Sequence, residues 1–341
     1  MATIKDIARL SGYSIGTVSR MINNRPDVSE AAREKISRVI QETGFQPNSN
    51  AKLLKQTSAS AITIVVKGTK NFFLETILED VQNLLKKSGE PVTVVFMDEL
   101  SNEAEAAVQI ATERKPKGFI FLGANLDYLR RSFGDVKIPS VVVSGNAKFL
   151  GFDHLSSFST DDYSAARDAV ECLIRAGHTN IGIVGGSRDS EHGNISSTRL
   201  AGALDALHRH GLSFDMEQDF EPGRYSAEDG YRAGTAILQR KPDMTAVFAL
   251  SDTIAIGVMR AAKDLGRDIP EDLSIIGYDG IEYTRYCVPR LATVRQSASL
   301  LAKKSVEDLL LRMNYSRKAV HETIPYEIVQ GESIKNFKKI Y

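Results

Sequence analysis

The 341-residue chain predicts a small all-α head joined by a polar linker to a larger α/β body of two doubly wound, parallel-sheet lobes. Three observations carry this. Short apolar repeats of helical period, broken by turn residues, fill positions 3–44. A polar, small-residue stretch spans 48–60. From Ala61 onward, short β-branched and aromatic runs alternate with helical patterns, and the alternation occurs twice. Strands alternating with helices imply parallel sheets covered on both faces. The composition, 42% hydrophobic and 25% charged, lets a chain of this length bury such cores without staples. No apolar run approaches the ~18 residues that span a membrane. The first residues lack an apolar leader, so a cytoplasmic setting is expected. The two cysteines, Cys172 and Cys287, make neither a disulfide framework nor a metal site. No metal and no cofactor is predicted.

The formal charge of zero is unevenly spread. Residues 1–56 hold nine Lys/Arg and five Asp/Glu, a charge of +4, and the remainder carries −4. A basic head on an acidic body suits a polyanionic partner.

Within the head, Thr3 followed by Asp6 has the form of a helix N-cap with an acidic third residue. Ile4, Ile7 and Ala8 then share one face of a short helix. Ser11, Gly12 and Tyr13 break it. Ser14 caps a second helix whose apolar face is Val18, Met21 and Ile22. Ser29 starts a third, with Ala32, Ile36, Val39 and Ile40 facing inward and Gly44 at its stop. Two short helices joined by a glycine-containing turn make a helix-turn-helix. The other face of the second helix presents Ile15, Gly16, Thr17, Ser19 and Arg20. A guanidinium, two hydroxyls and an apolar contact are the groups that read a DNA major groove. A helical bundle with no DNA role has the same spacing.

Three stretches go further. The run from Thr3 to Arg20 ending Thr17-Val18-Ser19-Arg20, the segment 28–35, and Gly44-Phe45-Gln46-Pro47-Asn48 together resemble the head of the lactose-repressor (LacI/GalR) family. The later order of elements fits as well, so the resemblance covers essentially the whole chain. It implies that residues 1–46 bind DNA, 47–60 form a hinge helical on DNA, and 61–341 bind an effector and dimerise. Ile15 and Gly16 then occupy the base-reading positions and Arg20 reads a guanine edge, while Thr17, Ser19 and Asn23 hold phosphates. Ser14 and Asn48 complete the DNA-facing set. In the hinge, the resemblance places Leu54 as a minor-groove wedge between Lys52 and Lys55. Leu54→Ala is therefore expected to weaken operator binding without unfolding the protein. Unchanged operator affinity in a filter-binding titration would contradict that role.

In the body, strands are expected at 62–66, 92–96, 119–122 and 141–143, with a crossing strand at 158–160. The second series comprises strands at 181–184, 246–250 and 273–278 and helices at 162–176, 199–210, 227–239 and 253–265. Ligands in such folds sit at the carboxyl ends of strands, and two facing lobes can close by hinge motion. The body resembles periplasmic sugar-binding proteins, as the family's effector domains do. That resemblance implies three chain crossings, near Thr160, Pro289 and Pro325. The first lobe is then 61–160 with 290–324, and the second 161–289 with 325–341.

The family pattern also names effector residues. Arg199, in Arg199-Leu200-Ala201-Gly202, and Asp279, in Gly277-Tyr278-Asp279-Gly280, would bind ligand hydroxyls or a carboxylate. Tyr225 falls where relatives stack an aromatic on the ligand. Ser251, before an expected helix cap at Asp252, Ser144 and Gln296 match pocket-lining positions. The family's Asp-x-x-Asn-Pro-Phe-Phe is here Lys67-Gly68-Thr69-Lys70-Asn71-Phe72-Phe73. A lysine near the usual aspartate inverts the local charge, which with Arg199 favours an anionic sugar derivative.

Enzyme chemistry finds little support. Gly182-Ile183-Val184-Gly185-Gly186 lacks both the dinucleotide and the P-loop spacing. His208 and His210 point apart on one helix. No nucleophile, base and orienting group can be assigned together. The expectation is a homodimeric, sequence-specific regulator of a pseudo-palindromic operator, controlled by a carbohydrate-like effector. The segment 335–341 lacks the apolar heptads of the lactose repressor's tetramer-forming tail. A sugar-binding protein or a sugar-modifying enzyme without a DNA role are the alternatives.

Overall fold

The computed structural model describes residues 4–22, 28–43, 61–187 and 195–337. The chain divides into two units, 1–58 and 59–341.

The first unit contains α1 (Ile4–Ser11), α2 (Ile15–Ile22) and α3 (Glu30–Thr43). Ile7, Ala8, Val18, Val28, Ala32 and Ile36 form its buried core, with Val39 and Ile40 packed at the edge. Between α1 and α2 the turn needs a left-handed residue, and Gly12 supplies it at φ 73°. Ser14 caps α2: its hydroxyl accepts the Thr17 N–H at 3.1 Å. Such a core is small, so each of these apolar side chains carries a large share of the unit's stability.

The second unit holds two six-stranded sheets. In the first are β1 (Ile62–Lys67), β2 (Val92–Met97), β3 (Gly118–Leu122), β4 (Ser140–Val143), β5 (Leu155–Ser159) and a late strand, β11 (His321–Thr323). Their order is β11-β5-β4-β3-β1-β2, all parallel. One face is covered by α4 (Phe72–Lys87) and α11 (Ala298–Asn314), the other by α5 (Glu103–Arg114) and α6 (Leu126–Ser132). The second sheet contains β6 (Ile181–Val184), β7 (Phe220–Glu221), β8 (Ala246–Ala249), β9 (Ser274–Asp279), β10 (Ala292–Gln296) and β12 (Tyr326–Val329). Its order is β12-β10-β9-β8-β6-β7, and only β12 runs antiparallel, against β10. The helices α7 (Asp162–Arg175) and α8 (Ile195–Arg209) cover one face. On the other lie α9 (Ala227–Arg240) and α10 (Asp252–Asp264).

The chain passes from the first sheet to the second between Ser159 and Asp162, and again between Thr323 and Tyr326. Two expectations are corrected. The second crossing lies between Gln296 and Ala298, not near Pro289, because 292–296 pairs with β9 and β12 in the second sheet. The lobe assigned from residue 290 therefore begins after Gln296. Likewise 158–160 is not a crossing strand. Leu155–Ser159 is an interior strand flanked by β4 and β11, and its five residues are all buried.

Candidate functional site

A cleft of about 630 Å³ opens between the two lobes. Every wall of it is a strand's carboxyl end or a helix start, the placement expected of parallel α/β sheets. From the first lobe come Lys67 at the end of β1, Asn125 after β3 and Ser144 after β4, with Phe73 from α4 and Glu99 after β2. The second lobe contributes Ser196 and Arg199 from α8, Tyr225 before α9 and Asp279 at the end of β9.

Arg199 is the centre of the second-lobe wall and is 2% exposed. Its Nε donates to Asp162 Oδ1 at 2.8 Å and its Nη1 to the Leu250 carbonyl at 2.7 Å. Asp279 Oδ1 lies 3.4 Å from Nη1, and the guanidinium stacks 3.7 Å from the Tyr278 ring centroid. Burial pulls its pKa down, but Asp162 and Asp279 outweigh burial and hold it above its usual value. Tyr278 donates its hydroxyl to the same Asp162 oxygen at 2.9 Å. Asp279 sits at φ 114°, a conformation rare for a residue with a side chain. Its Oδ1 accepts Gln296 Nε2 at 2.8 Å. Burial pushes its carboxyl up to about 7, against the lowering by Arg199 and Gln296. Tyr225 shares a hydrogen bond with the Ser196 hydroxyl at 3.1 Å, and burial pushes its phenol up to about 12.

The turn below Asp279 is fixed by Asp252, fully buried at the start of α10. Its carboxylate accepts the Gly280 N–H at 2.6 Å, the Ile281 N–H at 2.9 Å and the Thr293 hydroxyl at 2.6 Å. Burial, then the neighbouring Asp279, raise its pKa well above the usual range.

Polar contacts also span the cleft mouth. Arg224 Nη1 reaches Asp98 Oδ2 at 3.2 Å, the Tyr225 N–H donates to Glu99 Oε2 at 3.2 Å, and Lys70 meets Glu228 at 3.5 Å. Burial raises the Glu99 carboxyl, against the Tyr225 N–H and Arg224. The two exposed ion pairs and the half-buried Tyr225–Glu99 bond join one lobe to the other.

Of the sequence-predicted effector residues, Lys67, Phe73, Ser144, Arg199, Tyr225 and Asp279 line the cleft. Phe72, Ser251 and Gln296 do not. Phe72 packs on Tyr283 with ring centroids 5.0 Å apart. Ser251, rather than the expected Asp252, is the N-cap of α10 and accepts the Ile254 N–H. Gln296 acts from behind, taking the Thr160 hydroxyl at 2.8 Å while it orients Asp279.

The expected charge inversion by Lys67 is also corrected. Its Nζ is 2.6 Å from Glu103 Oε2, whose side chain is 1% exposed, and 4.8 Å from the Tyr128 ring centroid. The Asn125 N–H donates to the other Glu103 oxygen. The lysine's charge is thereby neutralised inside the wall. Glu99, Glu103, Tyr128, Asp162 and Ser196 were absent from the sequence-derived set. Asp161 caps α7 by accepting the Ser164 N–H, which leaves the adjacent Asp162 to Arg199.

On the head, Ile15, Gly16 and Arg20 are exposed on α2, with Ser14 preceding it, while Thr17 and Ser19 are half-buried. Arg20 Nε donates back to the Gly16 carbonyl at 3.3 Å. Asn23, Asn48, Lys52, Leu54 and Lys55 lie outside the described residues.

Residues 3–48 match the description "Bacterial regulatory proteins, lacI family", and residues 170–334 match a periplasmic binding protein-like domain. The HTH-type transcriptional regulator MalR of Clostridium butyricum is 34% identical over 98% of this chain and 99% of its own. The chain belongs to the lacI family of bacterial regulatory proteins. Among solved structures, the transcriptional regulator CelR in complex with cellobiose superimposes with a TM-score of 0.71 at 26% identity, covering 98% of this chain and all of the other. The lac repressor dimer bound to operator and an anti-inducer shares the fold, with a TM-score of 0.68 at 23% identity over 98% of this chain and 99% of its own. The lacI-family chain described here is thus a DNA-binding transcriptional regulator with an effector-binding body, not an enzyme.

Proposed function

We propose that this regulator is a cytoplasmic homodimeric repressor whose α2 helices read two operator half-sites, and whose effector is a neutral, hydroxyl-rich carbohydrate held in the inter-lobe cleft. The observation that carries the effector class is the pairing of charges around the cleft. Lys67 is matched by Glu103, Arg199 by Asp162, Arg224 by Asp98 and Arg232 by Asp229. The cleft carboxylate Glu221 is matched by Arg240. Glu99 and Asp279 keep acceptor capacity facing the cleft, beside the Tyr225 ring. Carboxylates that accept hydroxyl donors, with an aromatic surface, suit a sugar and disfavour an anion. A CelR relative binds cellobiose, and a cleft of this volume accommodates a ligand of that class.

A thermal-shift panel of neutral sugars, sugar acids and sugar phosphates tests this. A neutral ligand at about 100 times its Kd should add roughly 2.7 kcal/mol to the body's stability. A response confined to sugar acids or sugar phosphates overturns the assignment.

Asp279 makes the body's stability pH-dependent. Burial pushes its folded-state pKa up to about 7 from an ordinary 3.8, so between them the folded protein holds a proton that the unfolded chain does not. Its contribution to stability is therefore greatest below that range and falls as pH rises through it. Asp279→Asn should flatten this slope, so that the variant's Tm relative to the parent rises between about pH 5 and about pH 8. Parallel Tm profiles for the two proteins would contradict the assignment.

For operator reading, Gly16 is informative. A Cβ there meets only the Ser14 hydroxyl, at 3.7 Å, so the head's packing does not require glycine. Gly16→Ala should stabilise the isolated helix by roughly 0.5–1 kcal/mol. It should nonetheless weaken operator binding if the backbone approaches the bases at this position. A variant with parental affinity and parental sequence preference, measured by anisotropy, removes Gly16 from the reading surface.

The dimer is supported by β2. Among the described residues only β1 pairs with it, and Phe96 on it is 55% exposed. An unpaired strand edge carrying an exposed aromatic invites a partner strand or surface. Two-fold symmetry then matches two half-sites.

A further inference from the structure

A second cavity, of about 440 Å³, lies in the first lobe at the amino ends of β4 and β5. The effector cleft sits at the carboxyl ends of that sheet, so the two sites occupy opposite ends of one lobe. Three segments enclose the cavity: 137–139 before β4, 151–154 before β5, and 312–317 at the end of α11.

Its floor is Arg312, which is 8% exposed. Nη1 donates to the Ser140 carbonyl at 3.0 Å and the Ser156 hydroxyl at 2.9 Å, and Nη2 to the Asp153 carbonyl at 3.2 Å. Asp308 Oδ2, one helical turn earlier, is 3.6 Å from Nη1 and offsets this one cation. Arg312 Nε is buried without a hydrogen-bond partner, and so is His154 Nε2 beside it. The His154 ring is stacked on Phe152 at 5.4 Å and packs at 5.6 Å from Phe133. At the rim, Lys137 donates only to the Gly134 carbonyl. Arg317 forms no hydrogen bond or ion pair among the described residues, although its charge acts on the Asp308 carboxyl. Asp153 is the one carboxylate in the lining.

The local potential is positive. Burial lowers the His154 pKa, and Lys137 and Arg312 lower it further, outweighing its hydrogen bond to Phe133 and the charge of Asp153. The nearby His321 is lowered by burial, Lys148 and Arg312, against Asp308. Buried nitrogens without partners in native proteins commonly mark the place of an absent water or ion. Two rim cations without a carboxylate ion pair among the described residues, above a buried guanidinium, form a receptor for a compact dianion.

We propose that this cavity binds the phosphate group of a small phosphorylated ligand. Lys137 and Arg317 neutralise the phosphate oxygens from the rim. Arg312 supplies the positive floor, and His154 takes up a proton to add a donor once an anion offsets its cationic neighbours. The bound group ties together the three segments, which Arg312 and the backbone bond from the Ser140 N–H to the His154 carbonyl also join. This site is independent of the carbohydrate cleft.

The test is isothermal titration of the full chain with inorganic phosphate in a chloride buffer. Saturable binding is expected, accompanied by proton uptake that reveals His154. Lys137→Met and Arg317→Met should each weaken it by about tenfold, as loss of one charge-assisted contact does. Both side chains are on the rim, so the fold survives, and an unchanged Tm confirms this. The cleft variant Tyr225→Ala should bind phosphate as the parent does. Displacement by a sugar monophosphate supports a small ester as the natural ligand. Displacement by duplex DNA instead makes the cavity a DNA-backbone contact and overturns the proposal. So does an absence of saturable binding through the millimolar range, or parental affinity in the Lys137→Met, Arg317→Met double variant.

Discussion

Arg199→Met is expected to destabilise the effector-binding body by about 3–5 kcal/mol and to abolish any effector-induced thermal shift. Methionine keeps the apolar stem and removes the guanidinium. Asp162 and Asp279 then remain in a site 7% and 3% exposed, with no cation between them. Removing one member of a buried ion pair costs more than the pair contributed, because the surviving charge stays desolvated. For a body of this size, a loss of that magnitude lowers Tm by roughly 6–20 °C. The Leu250 carbonyl also loses its donor. If the cost arises from the orphaned carboxylates, adding Asp162→Asn should recover part of it, a coupling that distant mutations do not show. Equal losses in the single and double variants would place the cost in lost packing against Tyr278. The separate head should melt as in the parent.

The second large effect is expected at Asp252, which touches no ligand-facing surface. Asp252→Ala leaves the Gly280 and Ile281 N–H groups and the Thr293 hydroxyl, all buried or nearly so, without an acceptor. Each such orphan costs about 1–3 kcal/mol, so a loss of roughly 3 kcal/mol or more is expected. Because this turn holds Asp279 at its unfavourable φ, effector affinity should fall as well. Asp252→Asn keeps an oxygen for the Gly280 and Ile281 N–H groups and turns its amide to the Thr293 hydroxyl, which can accept, so it should fall between. Chemical denaturation of the three proteins checks the order. A parental midpoint for Asp252→Ala would show that water replaces the carboxylate without cost.

Both residues show what sequence can and cannot carry. The strand at Ile181–Val184 and the helix at Ala227–Arg240 were readable from periodicity, since local pattern decides them. Arg199 and Asp279 were readable because the family motif fixes their place at the carboxyl end of the sheet. Lys67 was located correctly in the cleft, yet its role was misread, because its partner Glu103 lies 36 residues away and only the packing of α5 against β1 unites them. Asp252 looked like a helix cap, but the adjacent Ser251 took that role, as Asp161 does beside Asp162. That freed the two buried carboxylates to organise Arg199 and the Asp279 turn. The second crossing was misplaced for a similar reason. Pro289 is a strong local boundary signal, but the pairing of β10 with β9 and β12 is a long-range fact. Sequence patterning reports burial and period; it does not report which buried charge meets which.

The same geometry connects the cleft to regulation. Arg224–Asp98 joins the lobes through a contact exposed enough to exchange with water, so this link is cheap to break, whereas Tyr225–Glu99 is half-buried. A ligand that engages Asp279 and Tyr225 on one lobe and Ser144 or Asn125 on the other favours the closed arrangement. Only such a difference in affinity between states can shift DNA binding.

The central claim is that DNA affinity and cleft occupancy are coupled, and one measurement addresses it directly. Binding sites are selected from random duplex DNA by the full chain, and the selected site is titrated by anisotropy with and without the neutral sugar that raises Tm. The account predicts a two-fold symmetric site whose Kd changes several-fold with the sugar in the parent protein and not at all in Asp279→Asn. A site without symmetry, or a Kd indifferent to a sugar that demonstrably binds the cleft, would contradict it.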